Sequence, residues 1–142
     1  MPVMSVNFIS ILVAAVAAWI LGAIYYTVLR DPWLAAQGKT LEQCKAEQAG
    51  KSRAAMIVPM VVVFIASIVM SWVLFGIMRH IGAFTVRAGM ISGAFVWFGF
   101  ILTTVSTNNA FQGKKTMLTV IDAGYWLLSL LLIGAILGGW GG

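Results

Sequence analysis

The chain has 142 residues, of which 61% are hydrophobic and 9% charged. An ordinary soluble domain is about 45–50% apolar and about 25% charged, so the composition excludes a soluble globular domain, a disordered tail and a nucleic-acid-binding module, and the length allows one domain. Nine Lys and Arg against four Asp and Glu give a net charge of +5; in so apolar a chain the placing of the cations matters most, because Lys and Arg mark cytoplasmic loops.

A spanning helix needs about 20 mainly apolar residues. The first such stretch covers residues 8–29, with only Ser10 and Thr27 as polar breaks beside its Trp and two Tyr. No Lys or Arg precedes it, and its apolar run exceeds the core of a cleaved signal, so it reads as a retained helix. Ala14, Ala18 and Gly22 recur at a spacing of four and suit close approach of a second helix.

The connection 30–53 is long and polar and holds Arg30, Lys39, Lys45, Lys51 and Arg53. Asp31-Pro32-Trp33 suits a helix start with Asp31 as cap, ended by Gly38. Thr40-Leu41-Glu42-Gln43 resembles a capping box and opens a second short helix over 41–49. The expectation is thus a pair of short amphipathic helices. The second is too polar to insert, and Trp33 and Leu34 are the candidates for the headgroup layer.

The second span covers 54–78. Pro59 is best tolerated near a helix start, so the helix is expected to begin close to it. Arg79, His80 and Arg87 lie in the short connection 79–87, where His80 reads as a headgroup contact. The third span covers 88–107, with Gly89, Ser92, Gly93, Gly99, Thr103 and Ser106 close to one face. After a short loop with Gly113, Lys114 and Lys115 comes the fourth span, 117–140, with Gly134, Gly138 and Trp140 as an interface anchor. Short connections imply antiparallel neighbours. The expected fold is an all-α integral membrane protein, four transmembrane helices in an antiparallel bundle forming a single domain over 1–142. Gly89/Gly93 and Gly134/Gly138 are GxxxG patterns; contact within one chain is the expectation, and a dimer face the alternative.

Loops one and three hold seven of the nine cations and loop two holds two. Positive charge stays inside, so both termini are expected to be non-cytoplasmic. Asp122 is the only charge within a span. It lies seven residues after Lys115, about 10 Å along a helix, or roughly a third of the ~30 Å hydrocarbon core. An acid at the centre of a span costs about 2.5–3.5 kcal/mol, so Asp122 should face protein. Thr119, Tyr125 and Ser129 form a polar stripe with it. Thr103 and Thr104 on the third span, and Tyr25 and Tyr26 on the first, fall at the same depth, with Arg30 and Lys114 able to snorkel toward them. The layer reads either as a proton or cation site or as a hydrogen-bond cluster that fixes helix register.

No phosphate-binding loop and no nucleophile motif is present. Cys44 and His80 are single and cannot form an intrachain disulfide or a zinc site of the usual spacing. The expectation is a non-enzymatic protein without cofactor or metal.

Four motifs, in order, resemble a known family: Gly22-Ala23-Ile24-Tyr25-Tyr26 with Trp33 after it, Trp97-Phe98-Gly99-Phe100 before Thr103-Thr104, Phe111-Gln112-Gly113-Lys114, and Ile121-Asp122-Ala123-Gly124-Tyr125. Together they resemble the bacterial membrane family catalogued as domain of unknown function 1761, over nearly the whole chain. The family pattern more often has Trp at the position of Tyr25, an acid at that of Gln112 and Asn at that of Asp122. That favours a polar cluster over a general proton relay. The resemblance implies a four-helix protein of the bacterial inner membrane and brings no activity. The expected role is packing, by self-association or as an accessory subunit of a larger membrane complex. The expected partners are the lipid bilayer and a homo-oligomer or larger complex, with no nucleic acid. The alternative is a small ion, proton or solute transporter or channel with a polar path around Asp122.

Overall fold

A computed structural model describes residues 6–142, and every regular element among them is helical. Helix α1 (Phe8–Val28) starts where the Asn7 side chain accepts from the Ser10 amide at 3.1 Å. A single residue, Leu29, separates it from α2 (Arg30–Ala36). Asp31 is therefore not the cap of α2. The helix begins earlier because the chain leaves α1 through the bond from the Leu29 amide to the Tyr25 carbonyl, still in helical register. Gly38, at φ +71°, ends the turn that follows, a left-handed geometry that glycine takes without penalty.

Helix α3 (Leu41–Ala49) carries the expected capping box. The Gln43 amide donates to Thr40 Oγ1 at 3.2 Å, and the Thr40 amide to Gln43 Oε1 at 3.0 Å. It buries no residue and is polar on all sides, so of the two short helices only α2 is amphipathic, with Leu34 and Ala36 buried.

Helix α4 (Arg53–Ile81) starts six residues before Pro59, not at it. Ser52 caps it by accepting from the Ala55 amide at 3.2 Å, and a side-chain cap of this kind supplies the start that proline was expected to supply. The third long helix runs further than the span 88–107. It comprises α5 (Val86–Val96), capped by Thr85, a π-helical turn at Trp97–Leu102, and α6 (Thr103–Phe111). Helix α7 (Thr116–Ile136) continues through a second π-helical turn, Leu137–Gly141.

These four long helices are each long and apolar enough to cross a membrane. Helix α7 is the most enclosed and touches α1, α4 and α5, while α4 packs chiefly on α1. The core gathers Ile11, Ala14, Ala18, Leu74, Phe75, Met78, Leu130, Ile133 and Leu137. A smaller cluster joins Ala36, Leu118 and Ile121 to Tyr25, Tyr26, Leu29 and Trp33, which holds α2 across the start of α7.

Glycine sets the spacing of the last two long helices. A Cβ on Gly89 would collide with the Gly134 carbonyl, one on Gly138 with the Thr85 carbonyl, and one on Gly93 would lie 2.5 Å from the Leu130 carbonyl oxygen. The pairing 85–138, 89–134 and 93–130 runs antiparallel. Both GxxxG patterns thus meet each other inside one chain. Gly99 is exposed in the π-helical turn, with open space where its Cβ would be, and takes no part in packing.

Candidate functional site: an aromatic cluster around Asp122

Seven residues into α7, Asp122 is half-buried and faces the end of α1. Tyr26 Oη donates to its Oδ1 at 2.8 Å. Three neighbouring groups tie helices to the same stretch of α7 through its backbone or against it. Tyr25 Oη donates to the Ile121 carbonyl at 2.6 Å, and Trp97 Nε1 donates to the Ala123 carbonyl at 2.7 Å. Tyr125 Oη donates back to the Ala18 carbonyl of α1 at 3.2 Å.

Small residues make room for these rings. A Cβ on Gly22 would lie 2.8 Å from Tyr125 Oη, and one on Gly124 would lie 2.8 Å from Tyr25 Oη. Gly22 therefore serves a ring rather than a bare helix backbone, while Ala14 and Ala18, fully buried, line the core on the same face of α1. Tyr26 stands edge-on to Trp33 of α2 at 5.7 Å between centroids and to Tyr25 at 5.3 Å, with Tyr125 tilted against it at 5.4 Å. Edge-to-face contacts at such distances are the favoured aromatic geometry.

Of the residues placed in one layer by depth along the helices, the structure gathers Asp122, Tyr25, Tyr26 and Tyr125. Thr119 lies one turn away and accepts from Asn109 Nδ2 at 3.0 Å. Thr103 and Thr104 are exposed on α6, and Thr103 Oγ1 donates to the Gly99 carbonyl of its own helix at 2.9 Å. They follow the π-helical turn at Trp97–Leu102, which breaks the helical period, and lie on the exposed side of the third long helix. Arg30 is exposed, and its ion pair is with Asp31 at 3.9 Å. Ser129 is fully buried, and its hydroxyl makes no hydrogen bond among the described residues.

Asn109 and Trp97 are the members that sequence reasoning missed. Asn109 fell in an expected loop, but α6 runs on to Phe111 and turns it inward. Trp97 stood in a motif without an assigned role. The signal that could have placed it is its spacing of four after Gly89 and Gly93, on the face of α5 that meets α7.

The fold and the site describe an all-helical protein with four helices of membrane-spanning length and a polar belt between them. The chain belongs to the family of proteins of unknown function DUF1761, whose model matches residues 9–138. No curated protein and no solved structure matches it.

Proposed function

We propose that the chain is a non-enzymatic integral membrane protein whose four long helices form an antiparallel bundle, acting through packing with copies of itself or as an accessory subunit of a larger membrane complex. One observation carries this. The Trp97 indole and the Tyr25, Tyr26 and Tyr125 phenols are engaged in holding α1 and the third long helix to α7, by bonds to Ala123, Ile121, Asp122 and Ala18. Groups so engaged specify helix register. The outer helices meanwhile turn large apolar side chains outward, among them Met60, Ile65, Phe95, Phe98 and Phe100, as contact with lipid or a partner helix requires.

The proposed orientation follows the cations. The contacts that hold α2 against the start of α7 put loop one and loop three at the same end, so the positive-inside rule places that end in the cytoplasm and both termini outside. The proposed location is the bacterial inner membrane. A reporter fused after Gly142 that is active only in the cytoplasm would overturn the orientation. The role is tested by the mass of the particle purified in a mild uncharged detergent. A homo-oligomer or a stoichiometric complex is expected. A lone monomer that carries ions or protons across liposomes faster than empty vesicles would favour the transporter instead.

A further inference from the structure

We propose that Asp122 and the rings of Tyr25, Tyr26 and Trp33 form a binding site for an organic ammonium group carried on an apolar body, whether a lipid headgroup or a free amphiphile. This goes beyond the packing role.

The carboxylate is the first ground. Among the described residues no Lys, Arg or His nitrogen lies within 4.0 Å of it; the ion pairs of this end are Arg30 with Asp31 and Lys39 with Glu47. An ionised carboxylate offers about four acceptor positions, and the bond from Tyr26 uses one. Asp122 is half-buried, so the remainder is not sealed by protein. A single acid at this depth with no basic partner in the chain is by default a candidate functional site.

The rings are the second ground. Tyr26 joins Trp33, Tyr25 and Tyr125 in one continuous aromatic wall at 5.3–5.7 Å centroid spacings. Tyr25, Tyr26 and Trp33 are each only half-buried, so protein does not cover them completely, and Tyr26 itself reaches the carboxylate. Aromatic faces attract cations, tryptophan most strongly, and rings combined with a substituted ammonium are a recurrent recognition mode.

The ligand class follows from what the site offers. Hard metal ions take about six oxygen ligands, and no group of three His, Cys, Asp or Glu occurs among the described residues. One carboxylate with ring faces suits instead a large, weakly hydrated ammonium. The site lies within the apolar stretch of α7, below Lys114 and Lys115. Those cations repel a positive ligand arriving from water, so the route is through lipid, and the ligand needs an apolar body.

The test uses the full chain in uncharged maltoside micelles. Benzyltrimethylammonium is titrated against tryptophan fluorescence and calorimetry, with neopentylbenzene as its uncharged isostere. Saturable binding is expected, roughly tenfold or more tighter for the ammonium than for the isostere. Asp122→Asn should weaken it by a similar factor. Gly99→Ala, outside the site and with open space for its Cβ, should hold affinity within about threefold. If Asp122→Asn does not fold, Trp33→Leu, outside the long helices, should weaken binding several-fold. Short-chain phosphatidylethanolamine displaces the probe if the headgroup is the source, and leaves it bound if the source is a free amphiphile. Equal binding of the ammonium and its isostere, or equal binding by wild type and Asp122→Asn, overturns the proposal.

Discussion

Replacing Gly134 with alanine places a methyl group where α7 meets α5 backbone to backbone. The new Cβ would lie 2.5 Å from the Gly89 carbonyl carbon and 3.1 Å from the Met90 amide nitrogen, whereas ordinary contact begins at 3.4 Å. The obstacle is main chain, so no side chain can swing aside. The two helices must separate by about 1 Å along this seam, which forfeits a quarter to a half of each dispersion contact there. Overpacking of this kind costs about 1–3 kcal/mol, and the upper end is expected because nothing flexible absorbs the strain. Gly99→Ala is the control. Its Cβ would meet open space, and relief of glycine's backbone freedom should stabilise the helix by about 0.5–1 kcal/mol. The assay is thermal unfolding in detergent micelles, followed by tryptophan fluorescence, with particle mass measured in parallel. Gly134→Ala should melt well below wild type and Gly99→Ala at or above it. Adding Gly89→Ala to Gly134→Ala should cost less than it does alone, since the seam is already open and neighbours are not additive. If Gly134→Ala melts with Gly99→Ala but splits an oligomer, the glycine seam lies between chains and the intramolecular reading is wrong.

Tyr26→Phe removes the bond to Asp122, and should destabilise by about 0.6 kcal/mol and by no more than about 1.7, the mean and maximum for hydrogen bonds between helices in a membrane protein; an unchanged melting temperature would show that the pair contributes nothing. Trp97→Phe keeps a ring but removes the donor to the Ala123 carbonyl, which retains its bond within α7, and a loss of about 0.5–1.5 kcal/mol is expected in the same assay. Pro59→Ala should stabilise the protein or leave it unchanged, because an interior proline costs a helix up to about 3 kcal/mol; a lower melting temperature would contradict a regular α4 from Arg53. Thr40→Ala breaks the capping box and should cost α3 about 0.5–2 kcal/mol locally. Hydrogen exchange across residues 41–49 should speed up while the global melting temperature holds, since α3 buries nothing.

Short-range signals were legible and azimuthal ones were not. Thr40 with Gln43 announced a cap, and the structure has it, because a capping box is closed within four residues. Pro59 misled because its helix start depends on whether a nearby side chain can cap. Ser52 does, a bond that the proline pattern does not encode. Thr103 and Thr104 were placed at the depth of Asp122 and lie on the outside. An ideal period of 3.6 residues keeps a helical face in register, and the π-helical turn at Trp97–Leu102 breaks that period. Trp97 precedes the effect of that turn: it follows Gly89 and Gly93 at a spacing of four, on the face of α5 that meets α7, and so reaches Ala123.

Composition and hydropathy alone determined that the chain has four helices of spanning length, since length and hydropathy belong to each segment by itself. The distribution of cations among the loops was likewise readable without any packing. Tertiary structure decided which faces meet: that the two glycine patterns seat against each other, that Gly22 and Gly124 make room for tyrosine rings, and that Asp122 is met by Tyr26 rather than Arg30. In helices apolar nearly all round, hydrophobicity does not choose the inner face. Close backbone approach and paired polar groups do, and both depend on two segments at once.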